Sequence, residues 1–241
     1  LTVFLAILPL IASFLFFTTN LQKMDVSSNE KGGVRWGKAI ILCAICIFLG
    51  SAAENTMTNW ISSYMENALG ISKTIGDILG LALFGILLGL GRSLYSKYGK
   101  NIANVLLFGM VGATACYIIA GTVSNPIVCM LACIFTGLCT SMLWPGTLIL
   151  MEEKFPTPGV TAYALMAAGG DFGGSVSPQI LGVVVDKVSE SSFALELSNS
   201  LSLTPEQIGL KTGMLIASIF PILGIAVLLY IKKYFKKQKA L

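Results

Sequence analysis

The 241-residue chain contains no histidine. That absence excludes His-dependent catalytic triads, His-ligated metal sites and His proton relays. Charge is scarce as well, at 12% of residues, where soluble domains carry about 25%. With 55% apolar residues and a mean hydropathy of +0.80, a water-exposed globule is excluded. The net charge of +4 comes from sixteen Lys and Arg scattered in short islands, so no nucleic-acid surface is expected. The six cysteines (Cys43, Cys46, Cys116, Cys129, Cys133, Cys139) all fall inside apolar runs. They read as small packing residues, not as a disulfide framework. Cys43 and Cys46 have a Cys-x-x-Cys spacing, but no polar loop surrounds them, and neither a metal nor another cofactor is expected.

What is abundant is long apolar sequence. A helix crosses the roughly 30 Å hydrocarbon layer with about 20 apolar residues, because lipid offers no partners to a bare backbone. Seven stretches qualify: 1–19, 39–64, 75–91, 102–123, 127–151, 160–185 and 212–231. An all-α, multi-pass membrane bundle is therefore expected. Ser124-Asn125-Pro126 supplies the turn between the fourth and fifth stretches. Thr204-Pro205-Glu206-Gln207, in the one long connection, has a Thr cap and Pro at the first position and predicts a helix start.

Positive charge fixes the expected direction. Lys23, Lys31, Arg35 and Lys38 lie after the first stretch, Arg92, Lys97 and Lys100 after the third, and Lys154 after the fifth. Lys232, Lys233, Lys236, Lys237 and Lys239 lie in the tail. Those thirteen oppose three (Lys73, Lys187 and Lys211) on the alternate side. The C-terminus is thus expected in the cytoplasm, Leu1 on the outer side, and the plasma (inner) membrane as the location. The basic tail suits anionic lipid. Leu1 begins inside an apolar span without a signal-peptide pattern. The expectation is the C-terminal part of a longer chain, whose missing N-terminal helices would be partners of this one. The expected units are a lone helix over 1–19, a linker over 20–38 and a six-helix bundle with its tail over 39–241.

One span, a cytoplasmic linker and six more spans is the arrangement of the second half of a twelve-helix transporter, and the chain resembles the major facilitator superfamily. Four local features carry the resemblance. Gly91-Arg92-Ser93-Leu94-Tyr95-Ser96-Lys97-Tyr98-Gly99-Lys100 is similar to the family's basic loop motif, with Ser96 in place of an expected Asp and Arg92 in place of a leading Gly. Ala53-Glu54-Asn55 with Asn59-Trp60 resembles the seventh helix of the fucose-permease-like sugar transporters. Ser141-Met142-Leu143-Trp144-Pro145 resembles their tenth helix. Gly169-Gly170-Asp171-Phe172-Gly173-Gly174, with Pro178 and 182–186, resembles their eleventh. The resemblance implies inverted three-helix repeats and rocking about a midplane site. It also makes Arg92, Lys97, Gly99 and Lys100 a gating loop.

Two acids lie inside apolar stretches, Glu54 and Asp171. A central acid costs roughly 2.5–3.5 kcal/mol on insertion scales, so such residues face a bundle interior or water and often relay protons. Both are expected to couple transport to protons; the alternative is a protonated acid that hydrogen-bonds a neighbouring helix. Neither is expected to have an intramembrane Lys or Arg partner in this chain, so an ion-pair role would need the missing helices. Asn55 and Asn59 share a helical face, and Trp60 and Trp144 offer plates on which a sugar ring stacks. Ser141 stands beside Pro145, which removes a backbone bond and kinks the helix. Asp171 and Ser175 form a polar stripe with Gln179 just beyond. Asn55, Asn59, Trp60, Ser141, Trp144, Ser175 and Gln179 are therefore the expected solute-binding residues. The glycine pairs at four-residue spacing read as close helix contacts, not phosphate cradles.

The expected function is secondary active transport of a small polar, sugar-like solute by proton symport. An exporter of the same fold, or a fragment inactive alone, are the alternatives. A seven-helix receptor is disfavoured: no Asp-Arg-Tyr follows the third span and no Asn-Pro-x-x-Tyr ends the last. An enzyme is not expected, since the chain has no Gly-x-Ser-x-Gly and no histidine.

Overall fold

The computed structural model describes residues 10–11, 13–15, 17–19, 38–154 and 159–238, and the described residues contain helix and no strand. The chain divides into two compact units, Leu1–Arg35 and Trp36–Leu241. In the first, Thr18 and Thr19 donate their hydroxyls back to the carbonyls of Phe14 and Leu15. The remainder of the expected 1–19 helix, and nearly all of the 20–38 linker, lies outside the described residues.

In the second unit, α1 (Lys38–Ser63) continues through a π-helical turn, Tyr64–Ala68. A helical turn and a π-helical segment, Gly76–Ala82, lead into α2 (Leu83–Tyr98). Then follow α3 (Ile102–Thr122), α4 (Pro126–Thr140) and α5 (Leu143–Lys154). The remaining helices are α6 (Val160–Ser189), α7 (Ser192–Leu201), α8 (Pro205–Ala217) and α9 (Ile219–Gln238). Their starts follow local chemistry. Asn101 caps α3 and Asn125 caps α4, where Pro126 opens the helix. Thr204 and Gln207 form a reciprocal capping box before α8, satisfying two of the orphan N–H groups of a helix start.

Among the described residues, five helices, Ile40–Ala68, Lys73–Tyr98, Ile102–Thr122, Pro126–Lys154 and Pro205–Lys236, are long and apolar enough to cross a membrane. α6, with 30 residues, is long enough at about 45 Å. Its glycines, Asp171, Ser175, Ser177, Pro178 and Gln179 keep it from the apolarity of the other five. The expected third span was too short: hydropathy ends at Arg92, but the helix runs on to Tyr98. The expected last span began too late, since the capping box starts it at Pro205. Lys211, read from sequence as a loop charge, is buried within α8 and donates to the Val123 carbonyl at 2.6 Å. That carbonyl stands at the C-terminal end of α3, where a cation is favoured.

Two apolar clusters form the core. One gathers Ile40, Cys43 and Ile47 of α1 with Ile102, Leu106, Met110, Leu143, Leu150, Met166 and Leu228. The other gathers Ala53, Met57 and Ile61 of α1 with Phe84, Tyr117, Cys133, Leu181 and Met214. α1 and α6 contribute to both, and their most polar stretches lie between the two clusters. α1 packs along α6 at close range, because a Cβ at Gly173 would collide with the Phe48 backbone. Ser177 Oγ reinforces this packing by donating to Ala52 O (3.1 Å), and Tyr117 Oη ties α3 to α1 by donating to Ala53 O (2.8 Å).

Candidate functional site

Between the two clusters lies a cavity of about 420 Å³, lined by Ser51, Glu54 and Asn55 of α1, Arg92 of α2, Trp144 of α5, and Asp171, Gly174 and Ser175 of α6. Its size falls in the range of small-ligand pockets, but its wall is far more polar than the surrounding helices. The α1 wall follows from spacing: residues 51, 54, 55 and 58 stand at i, i+3, i+4 and i+7, one helical face. Several of these side chains satisfy themselves on their own helix. Asn55 Nδ2 donates to Ser51 O (3.0 Å) and Ser51 Oγ (3.2 Å), and Thr58 Oγ1 to Glu54 O (2.9 Å). The amide oxygen of Asn55 is left as an acceptor.

Glu54 is the exception. Its Oε2 is buried without a hydrogen-bond partner, while its Oε1 lies 3.5 Å from Arg92 Nη2. The expectation that Glu54 has no cationic partner within this chain is corrected by this contact. Arg92, expected in a gating loop, is a residue of α2 itself, and a long flexible stem lets its head reach back to α1. Its side chain is 45% exposed and that of Glu54 18%. Arg92 is fixed from behind as well, by Nε donating to the Ser141 carbonyl at 3.0 Å. That carbonyl is free because residue 145, which would donate to it in a continuous helix, is proline and has no N–H. The kink expected at Pro145 is realised as the break between α4 and α5.

On α6, Asp171, Gly174 and Ser175 stand at i, i+3 and i+4. Asp171 makes no hydrogen bond and no ion pair among the described residues. A side chain at Gly174 would press on Asn55 Nδ2 and Ser51 Oγ, at 2.8 and 3.1 Å from its Cβ, so glycine here keeps the wall open. Pro178, inside α6, removes the N–H that the Gly174 carbonyl would otherwise accept.

Of the residues expected to bind solute, Asn55, Trp144 and Ser175 line this cavity, together with both acids. The others stand elsewhere. Asn59 is exposed and donates to Asn55 O (2.8 Å). Trp60 Nε1 donates to Pro178 O (3.1 Å), tying α1 to α6 beside the second cluster. Ser141 is buried, its hydroxyl turned to Leu138 O (2.7 Å). Gln179 is exposed. Of the expected loop, Lys97 is also helical and sits over the Tyr98 ring. Gly99 caps α2 and donates to Tyr95 O (2.7 Å), and Lys100 is exposed beyond it. Ser51 and Gly174 escaped the sequence reading, although each lies three residues from an acid on the same face.

A helical bundle of this composition around a polar midpoint agrees with the comparison that decides the family: the model of the Major Facilitator Superfamily matches residues 1–178. The chain belongs to the major facilitator superfamily. No curated protein and no solved structure matches it. The major facilitator proteins are transporters and not enzymes, so this chain is a multi-pass membrane protein whose work is to move a solute.

Proposed function

We propose that this major facilitator protein carries a small polar, sugar-like solute through the cavity at Glu54 and Asp171 by alternating access, with protons as the coupling ion. The observation that supports this most is the cavity itself, polar on α1, α2 and α6 and lying between two apolar clusters. The Asn55 amide, two serine hydroxyls and an indole suit a polyol, and the resemblance to the fucose-permease-like members favours the same class. Glu54 is the coupling residue in this reading, because one of its oxygens faces Arg92 and the other has no partner. Protonation would neutralise the carboxylate and release the guanidinium. The bias of Lys and Arg supports a cytoplasmic C-terminus in the plasma (inner) membrane.

The test is Glu54→Gln in the full-length protein in proteoliposomes. Proton-driven accumulation is expected to disappear while exchange of solute across the membrane persists. Normal accumulation by the variant would make Glu54 structural and move the coupling role to Asp171.

A further inference from the structure

We infer that the solute carries a cationic ammonium group, held against α6 by Asp171, the Gly174 carbonyl and Ser175; this rests on reading the cavity as the solute site. The cavity holds two acids and one cation. The cation is already engaged on two sides. Arg92 Nε is held by Ser141 O at 3.0 Å and Nη2 faces Glu54 at 3.5 Å. Arg92 and Glu54 offset each other, which leaves Asp171 as the charge in the cavity without a counterpart among the described residues.

The hydrogen-bonding character of the same wall points the same way. The Asp171 carboxylate contributes acceptors only when ionised, and Ser175 adds hydroxyl lone pairs one turn on. Pro178 leaves the Gly174 carbonyl without its helical donor, on the same stripe. Across the cavity, the Asn55 amide spends its donor on Ser51 and keeps its oxygen. An ammonium group has three donors and no acceptor, so it matches a wall of this kind. A neutral polyol would leave the exposed Asp171 carboxylate without a counter-charge, and a carboxylate solute would face that same uncompensated negative charge. The indole of Trp144 also lines the cavity, and an indole face attracts a cation within about 6 Å of its centre. An amino sugar or amino polyol meets both this requirement and the polyol character proposed above.

The experiment measures melting of the purified full-length protein against matched triplets on hexose, pentitol and propanol skeletons. Each skeleton is presented as the amine, the alcohol and the carboxylate at a pH where the amine is charged. At least one amine is expected to raise the melting temperature with an affinity at least about tenfold above its alcohol, the size of one charge-assisted hydrogen bond. That preference should vanish in Asp171→Asn, return in part in Asp171→Glu, and weaken in Ser175→Ala, which keeps the inference testable if Asp171→Asn folds poorly. Stabilisation by alcohols or carboxylates equal to or above the amines, lost in Trp144→Ala, overturns the charge assignment and leaves the cavity as the solute site. If no member of any triplet shifts the melting, both readings fall.

Discussion

Arg92 Nε donates at 3.0 Å to the carbonyl of Ser141, the group that Pro145 leaves unpaired four residues later. A kink in one helix thereby fixes the side chain of another, and that side chain faces the buried acid of a third. The chain of dependence runs from a missing N–H, through an orphan acceptor, to the charge state of the cavity.

Pro145→Ala restores an N–H that competes for Ser141 O. Stability is expected to hold or rise slightly, while solute accumulation falls several-fold because Arg92 loses its anchor. Melting and uptake measured on the same preparation check this, and uptake at the wild-type level would sever the link between the helix break and Arg92.

Arg92→Lys keeps the charge, yet a single ammonium lacks the forked guanidinium that reaches Ser141 O and Glu54 together. Accumulation is expected to drop toward that of Arg92→Met. Initial-rate uptake by the three proteins decides it: a lysine variant equal to wild type would make the charge alone sufficient.

Gly173→Val drives a branched side chain into the Phe48 backbone. Overpacking of this kind costs about 1–3 kcal/mol, so a clear fall in melting temperature is expected. Gly85→Val, at a position where a Cβ meets nothing within 4 Å, is the control and should leave the melting temperature unchanged.

Lys211→Met keeps most of the unbranched stem and removes its bond to Val123 O. Losing a charged hydrogen bond at a helix end is expected to cost about 1.5–3 kcal/mol, read as a lower melting temperature. A melting temperature equal to wild type would mean that the packing of the stem, not the ammonium, holds the end of α3.

The six cysteines carry a separate expectation. Cys43, Cys46, Cys116, Cys129 and Cys133 are buried and all six are free thiols. A membrane-permeant maleimide is expected to modify those five only after unfolding, with half-buried Cys139 reacting first. Mass spectrometry of folded and denatured protein checks this. Early labelling of Cys43 or Cys46 would show an open path to them that the packing of α1 does not provide.

Helices were legible because apolar length and cap chemistry act locally. Asn125-Pro126 and Thr204-Pro205-Glu206-Gln207 start helices where the residues say they should. The site was legible in phase but not in height. Asn59 and Gln179 share a helical face with Asn55 and Asp171, yet one and two turns along the axis separate them, about 6 and 12 Å. Those distances carry them past the cavity. Arg92 was misread for a different reason. A hydropathy profile ends a span at its first charge, and nothing in a linear pattern says that a guanidinium on α2 will turn back to an acid on α1. Trp60 was assigned to solute because an indole suits a sugar, but its N–H had a nearer claimant in Pro178 O, which only the packing of α1 on α6 supplies.

The two apolar clusters meet α1 and α6 at opposite ends, and the polar stretch of α6 between them runs up to Pro178. Mechanically the bundle is two hard grips on a soft wrist. Where a rung of the helical ladder is missing, bending costs no rung, and neither grip has to repack for the wrist to turn. The stretch from Gly174 to Pro178, along the cavity wall, is therefore where α6 bends at least cost.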